Sequence, residues 1–324
     1  MSVEKTDAIV LKTVDFMESS LVLTVYTRDL GKVRGLAKGA RRLKNPFETS
    51  LDLLASIKLT FIRKNSDALD LFTEAKLARR FRPNRRNLKG LYAGYYVAEL
   101  LDSMTEDYDR DPELWRLTDL TLASLAKRGR VGSRIFAYEA FILDAFGEFP
   151  SVRNCVECGR ELPLDSVENL ERKIWFENDR GGVVCRDCLA KKRTLGLVST
   201  TIGAFKALET ARDAARNMLL YNVGFEKNLE DQFERARNAP VTTLDEIERN
   251  AEIVRESLDR ETLDKLENFD PGARASLREL LDRYVARVAR RRLRTQRYLR
   301  YAAGKDPAPP AEDELERELE LCET

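Results

Sequence analysis

Residues 5 to 76 alternate between polar turns and short apolar runs, several of which are rich in Val, Ile, Thr or Phe. Such runs are typical of β-strands, and turns such as Thr27–Gly31 supply the Asp and Gly that relax the backbone. A more irregular stretch, Gly39–Leu51, follows the third run. The pattern predicts a five-stranded β-barrel of the OB type, with a sandwich-like β domain that binds no ligand as the alternative. The predicted strands are Ala8–Val14, Leu21–Thr27, Lys32–Ala37, Leu53–Phe61 and Leu69–Lys76.

Beyond Pro83 the apolar positions recur every three or four residues, which places them on one face of a helix. Ser133 is suited to the N-cap of one such helix and Gly147 to its end. Helical spacing returns over about 198–301. Because packing alone explains this spacing, we interpret the apolar stripes as core and not as a ligand site. The predicted helices cover residues 88–101, 112–127, 133–147 and 277–301.

These elements predict a multi-domain α+β protein. The OB-type barrel, residues 1–82, is followed by a helical domain in two parts, 83–150 and 197–304, and the second part ends in a basic helix. A cysteine-containing, zinc-ribbon-like module is inserted between these parts over residues 151–196. Residues 305–324 are acidic and proline-containing, and we expect them to be disordered.

Charge is distributed unevenly along the chain. Lys and Arg number 56 against 55 Asp and Glu, for a net charge of only +1. The windows Arg28–Lys44, Lys76–Lys89 and Arg283–Arg300 are nevertheless strongly basic, and the C-terminus is acidic. This asymmetry favours a polyanionic partner, or an acidic tail that competes with that partner for a basic face. No targeting segment or membrane-length apolar run is present, so a cytoplasmic protein without membrane contact is expected.

The chain contains no histidine, the most common general base and metal ligand near neutral pH. The absence excludes Ser-His-Asp triads and His-bearing metal centres. The sequence also lacks the Gly-x-x-x-x-Gly-Lys-Ser/Thr and Gly-x-Gly-x-x-Gly signatures of nucleotide-binding loops. We therefore expect a binding protein that uses no nucleotide and is not an enzyme.

Two Cys-x-x-Cys pairs, Cys155 with Cys158 and Cys185 with Cys188, are separated by 26 residues. Four thiolates at this spacing complete a tetrahedron around Zn²⁺, and a hairpin predicted over 173–184 brings the second pair back to the first. A redox dithiol would need only one pair, and a catalytic zinc would keep an open position. The sequence therefore predicts one structural Zn²⁺ ion.

The basic residues near the barrel predict a nucleic-acid surface, with a solvated charged face as the alternative. Tyr26, Phe47 and Phe81 are candidates to stack on bases. The arginines of 283–300 could bind DNA, an acidic peptide of a partner or the chain's own acidic tail. The residues expected to contact DNA phosphates are Lys32, Arg34, Lys38, Arg41, Arg42, Arg79, Arg80 and Arg82.

Several motifs together are similar to a known family. The N-terminal segments Thr6–Thr13, Thr27–Lys32 and Ala37–Arg42 resemble the opening of the RecO recombination-mediator family. Phe146–Pro150 matches its Phe-Gly-x-x-Pro motif, and Cys155–Gly159 matches the Cys-x-x-Cys-Gly knuckle that follows. Two features depart from the family: the stretch 214–265 is longer than the family usually has, and the acidic tail is an addition.

The resemblance implies binding of single- and double-stranded DNA and annealing of complementary strands, including strands coated by single-strand-binding protein. It further implies cooperation with RecR, with or without RecF, in loading RecA recombinase, and contacts of the helical part with the acidic tail of single-strand-binding protein. It also implies a nucleoid-associated location. The residues alone leave open a zinc-ribbon protein of transcription or RNA metabolism and a scaffold that binds only proteins.

Overall fold

The structure is a computed structural model of the 324-residue chain. It describes residues 2–42, 44–47, 50–64, 68–83, 87–127, 130–162, 169–191, 197–235 and 263–296, with the backbone alone over 221–235. The predicted acidic tail, the last part of the predicted basic helix and most of the long 214–265 stretch lie outside these residues. None of the described helices is long and apolar enough to cross a membrane.

Five strands form the N-terminal sheet, and all five predicted strands are confirmed. The sheet closes into a barrel in the order β1-β2-β3-β5-β4, with β3 and β5 parallel and the other pairs antiparallel. Apolar side chains such as Val25, Ile57 and Phe61 fill the interior. The strands are β1 Ser2–Phe16, β2 Ser20–Thr27, β3 Gly31–Ala37, β4 Ser56–Arg63 and β5 Asp70–Arg79.

A helical body follows the barrel and buries the largest core of the described residues. The sequence supplies its caps, because Asn87 accepts a hydrogen bond from the Gly90 amide and Asp111 one from the Leu114 amide. Gly147 follows the third helix with φ +69°, as predicted. The main helices are α1 Leu88–Met104, α2 Pro112–Ala126, α3 Val131–Ala145, α5 Ile202–Arg235 and α6 Pro271–Val288.

A small sheet and a short helix, α4 Arg186–Lys191, make up the cysteine module and its attachment. The predicted hairpin is confirmed as β6 Lys173–Glu177 and β7 Gly182–Val184. A third strand, β8 Leu197–Thr201, pairs with β6. Sequence reasoning placed β8 in the second helical part, and this is wrong because its backbone pairs with β6 before α5 begins.

Two helix boundaries differ from prediction. The third helix begins at Val131, and Ser133 is not its N-cap. The helix predicted over 277–301 ends at Val288 and does not continue through the arginines that follow, because Arg290 adopts φ +54° and reverses the chain. The returning segment is held on α6, where the Gln296 side-chain amide donates to the backbone oxygen and a carboxylate oxygen of Asp282, both at 3.0 Å.

The barrel is attached to the helical body by the loop between α1 and α2. The Tyr108 amide donates to the Lys32 carbonyl at 2.9 Å, and the Arg63 guanidinium lies 4.1 Å from the centre of the Tyr108 ring. At the turn before β3, a Cβ on Gly31 would lie 2.0 Å from the Asp109 carbonyl oxygen, so this approach requires glycine. The attachment therefore covers the start of β3, where Gly31 and Lys32 are buried.

Candidate nucleic-acid interface and metal centre

The loop after β3, residues 38–44, carries four cations and lies beside the turn between β1 and β2. The Arg41 amide donates to the Ser19 carbonyl at 3.0 Å, and the Gly39 amide donates to the Ser20 hydroxyl at 3.3 Å. Gly39 has φ +69°, which lets the chain turn away from the strand. We call this segment the basic loop.

Lys38, Arg42 and Lys44 are exposed on the basic loop, and none of the described acidic residues forms an ion pair with them. Arg41 is also exposed, but its guanidinium pairs with the Asp15 carboxylate. Cations that keep their full charge attract phosphates most strongly. The basic loop therefore presents three cations without an ion pair to a described acid, together with Arg41, whose charge is partly neutralised by Asp15.

Lys32 has a different environment from the one that the sequence suggested. The residue is 7% exposed, and its ammonium donates to the carbonyls of Asp102 at 2.8 Å and Thr105 at 2.7 Å. A carboxylate oxygen of Asp102 lies 3.3 Å away. The ammonium therefore binds the C-terminal end of α1 and is not accessible to a DNA phosphate, so we remove Lys32 from the candidate surface.

The other predicted arginines lie where the barrel meets the helices. Arg34 pairs with Asp107 at 2.7 Å, and an Arg79 guanidinium nitrogen lies 3.1 Å from the Asp119 carboxylate. Arg80 is largely buried and lies 3.8 Å from a carboxylate oxygen of Asp52. Arg82 is exposed. Arg34 and Arg79 thus join the barrel to the helical body, and Arg82 is the member of this group most accessible to a ligand.

Of the three aromatic residues suggested for base stacking, two are buried and one is partly buried. Tyr26 and Phe47 are buried in the barrel region, and Phe81 packs over Gly94 of α1. The exposed apolar side chains near the basic loop are instead Phe16 and Met17, at 39% and 80% exposure. Sequence reasoning missed them, although apolar residues directly before a polar turn, Glu18–Ser20, were the available signal.

The arginines near the C-terminus do not form one basic helix face. Arg283 pairs with Glu279 at 3.0 Å and Arg287 with Glu148 at 3.0 Å. Arg291 donates to the Ser103 hydroxyl at 2.7 Å. Arg283 and Arg287 belong to α6, and of these three contacts only that of Arg291 holds the segment after α6 against α1. All three guanidinium groups are engaged, which leaves less charge for a ligand.

The cysteine module brings its four sulfurs together. The sulfurs of Cys155, Cys158, Cys185 and Cys188 all lie within 4.8 Å of one another, and those of Cys158 and Cys185 are 3.8 Å apart. Zn–S bonds of about 2.3 Å in an ideal tetrahedron require sulfur–sulfur distances of about 3.8 Å. The four cysteines are thus positioned to hold one metal ion, with no ligand position left for a substrate.

The local environment shifts the pKa values of two of these thiols in opposite directions. Burial of Cys155 opposes ionisation, but amide hydrogen bonds from Cys185, Cys158 and Glu157 outweigh burial and lower the pKa of its thiol to about 6. Hydrogen bonds to the sulfurs of Cys185 and Cys158 raise the pKa of the Cys188 thiol to about 12. A bound cation favours the thiolate form of every ligand. Gly159, with φ +71°, completes the first knuckle.

The module is joined to the rest of the molecule through its hairpin. The Val156 amide donates to the Val183 carbonyl at 3.0 Å, linking the first knuckle to β7. At the hairpin turn, a Cβ on Gly181 would lie 2.3 Å from the Tyr284 hydroxyl oxygen of α6. A metal that orders the knuckles therefore also orders the surface on which α6 packs.

Comparison with known proteins agrees with this arrangement. The family models "Recombination protein O N terminal" and "Recombination protein O C terminal" match residues 1–81 and 85–218. A protein of Rhodopirellula baltica named DNA repair protein RecO is 43% identical over 208 residues, covering 64% of this chain and 73% of that protein.

The chain belongs to the RecO family.

RecO proteins of Syntrophus aciditrophicus and Desulforamulus reducens are 28% and 30% identical over 210 and 209 residues, covering 64% of this chain and 78% of each relative. Membership of the RecO family gives the chain a role in DNA repair and recombination. The RecO family models extend to residue 218, so the returning C-terminal segment lies beyond them.

Proposed function

We propose that the chain is a recombination mediator that binds single-stranded DNA on its OB-type barrel and anneals complementary strands. The proposal rests mainly on the basic loop, where Lys38, Arg42 and Lys44 are exposed without an ion pair to a described acid. Cations of this kind bind nucleic-acid backbones with little dependence on sequence. Among the described residues, Lys38 and Arg42 are the best candidates for phosphate contacts.

Annealing requires two repelling backbones to be brought together while their base edges stay free. Neutralisation of phosphate charge on the basic loop supplies the first condition. No general base, nucleophile or nucleotide is required, so the proposed protein carries out no bond chemistry. Its proposed ligands are single- and double-stranded DNA.

The proposed partners follow the family. The protein would act with RecR, and with RecF where that protein is present, to help load RecA recombinase onto DNA coated by single-strand-binding protein. The helical body is the proposed site for the acidic tail of that coating protein. The proposed location is the cytoplasm, in association with the nucleoid.

The proposed metal is a single structural Zn²⁺ held by the four cysteines. Four thiolates in a tetrahedron suit zinc, and their number leaves no open coordination position for catalysis. The ion would supply the folding energy that a module of this size lacks from its own core.

The test is annealing of two complementary labelled oligonucleotides, without nucleotide, over a series of salt concentrations. The Lys38→Ala/Arg42→Ala variant should anneal slowly. The slope of the logarithm of its single-strand affinity against the logarithm of salt concentration should become less steep by about 0.7 per lost phosphate contact. Arg172→Ala/Lys173→Ala is the matched control, because it removes the same charge from exposed positions on and beside β6.

Failure of the intact protein to bind or anneal single strands at low salt would contradict the proposal. Preferential binding of RNA over DNA of the same sequence would instead favour the alternative role in RNA metabolism. An equal loss of single-strand affinity in Lys38→Ala/Arg42→Ala and in the control Arg172→Ala/Lys173→Ala would show that net charge, and not the basic loop, determines binding.

A further inference from the structure

The turn between β1 and β2 exposes two neighbouring apolar side chains, Phe16 and Met17, which we call the apolar tip. Phe16 is 39% exposed and Met17 80%. Met17 also has φ +55°, a conformation that residues other than glycine rarely adopt. Core packing does not account for the apolar tip, because both side chains face outward at the end of a strand.

The apolar tip is fixed to the basic loop by the backbone. Immediately after Met17, Ser19 accepts the Arg41 amide at 3.0 Å and Ser20 accepts the Gly39 amide at 3.3 Å. The strand pairing Leu21↔Ala37 continues this alignment into β2 and β3. The apolar tip and the basic loop therefore form one end of the barrel.

The charge of this end selects the kind of ligand. Its acids are Asp15 and Glu18, and Asp15 is paired with Arg41. Four cations of the basic loop oppose these two acids, which gives a net positive surface around the apolar side chains. A single nucleic-acid strand matches both features, because it offers phosphates to cations and unstacked base faces to apolar and aromatic groups.

We propose that Phe16 stacks on an unpaired base while Met17 covers the edge of the same base, and that Lys38 and Arg42 bind the flanking phosphates. This inference rests on the proposed function and adds to it a contact that does not depend on charge. It explains why a strained turn exposes two apolar side chains beside cations that form no ion pair with a described acid. It also distinguishes single strands from duplexes, whose bases are already stacked on each other.

The test compares the binding of a single-stranded oligonucleotide by the full chain, Phe16→Ala/Met17→Ala, Phe16→Trp and Val3→Ser. Val3 is the matched control because it is 66% exposed and lies at the opposite end of β1. Loss of a base-stacking contact should weaken binding of the double variant roughly 5-fold or more at every salt concentration, without changing the salt slope. Duplex binding should change less.

Phe16→Trp should keep the affinity of the unaltered chain, because a larger aromatic ring stacks at least as well. The fluorescence of the added Trp, measured as the difference from the unaltered chain, should be quenched by the oligonucleotide. Met17→Ala alone, at the more exposed position, provides a second variant if thermal unfolding shows that the double variant is damaged. Val3→Ser should bind as the unaltered chain does.

Three outcomes would overturn the inference. Unchanged affinity of a folded double variant would refute stacking while leaving the proposed function intact. A reduced salt slope in that variant would mean that the turn acts only by positioning the basic loop. Binding of anionic phospholipid vesicles that depends on Phe16, with no such dependence for DNA, would assign the apolar tip to a lipid surface. Absence of DNA binding by every form would instead refute the proposed function.

Discussion

Replacing Lys32 with Met should separate stability from DNA binding. The change keeps an unbranched, apolar side chain as far as Cε and removes the ammonium. That ammonium donates to the Asp102 and Thr105 carbonyls at 2.8 and 2.7 Å and lies 3.3 Å from a carboxylate oxygen of Asp102. Its loss leaves the C-terminal end of α1 without the cation that satisfies it.

The size of the effect follows from these contacts. Hydrogen bonds to a charged group contribute about 1.5–3 kcal/mol, and a cation at a helix C-terminus adds about 0.3–1 kcal/mol. The Asp102 side chain is 31% exposed and Arg291 lies 3.6 Å from it, so the remaining carboxylate is partly solvated and partly paired. We expect the free energy of unfolding to fall by about 2–3 kcal/mol, less than for a fully buried pair.

Urea unfolding followed by circular dichroism measures this loss of stability. Oligonucleotide binding over a series of salt concentrations tests whether DNA binding is unchanged. Under conditions in which Lys32→Met is folded, its affinity for the oligonucleotide should depend on salt concentration as steeply as that of the unaltered protein. Lys38→Ala should do the opposite, with stability within about 0.5 kcal/mol of the original and a slope lower by about 0.7. A stable Lys32→Met protein with a reduced slope would refute the reasoning, because it would place Lys32 on the DNA.

Three further changes test other parts of the molecule. Cys155→Ser, or removal of the metal with a chelator, should abolish stoichiometric zinc measured by mass spectrometry and destabilise the packing of α6; retention of both would contradict a structural metal. Glu99→Ala removes the carboxylate that accepts from the Thr295 amide at 2.9 Å and should lower the free energy of unfolding by about 1–2 kcal/mol. Hydrogen exchange at the Thr295 amide should become faster, and an unchanged rate would show that Glu99 does not hold this segment on α1. Gly31→Ala should lower the free energy of unfolding by about 3 kcal/mol or more, because the added Cβ meets the Asp109 carbonyl. Gly147→Ala is the control and should cost only about 1 kcal/mol, because its Cβ meets nothing within 4 Å. Equal shifts in the melting temperatures of the two variants would refute this difference.

Local patterns determined a large part of this protein. The five strands follow from apolar runs separated by turn residues, and each run kept its predicted place. The four cysteines follow from spacing alone, because a two-residue spacer lets both sulfurs of a pair point to one ion. Caps such as Asn87 and the positive φ of Gly159 are also local, since the residue type and its neighbours decide them.

The basic residues show what the sequence could not decide. Lys32 and Lys38 belong to the same basic window, but Lys32 faces the end of α1 and Lys38 faces solvent. The sequence of β3 contains no information about a helix that begins more than 50 residues later. Nor did helical spacing reveal that Arg290 reverses the chain and commits Arg291 to α1.

The same distinction applies to the aromatic residues. Residue type made Tyr26 and Phe47 reasonable candidates for base contacts, but closure of the barrel and its packing on the helices bury both. Phe16 is exposed because its strand ends before the barrel can cover it. The sequence thus determined most of the secondary structure and the grouping of the four cysteines, which depend on near neighbours. Only the tertiary structure decided which charges and rings reach the surface, because burial depends on segments that are distant along the chain.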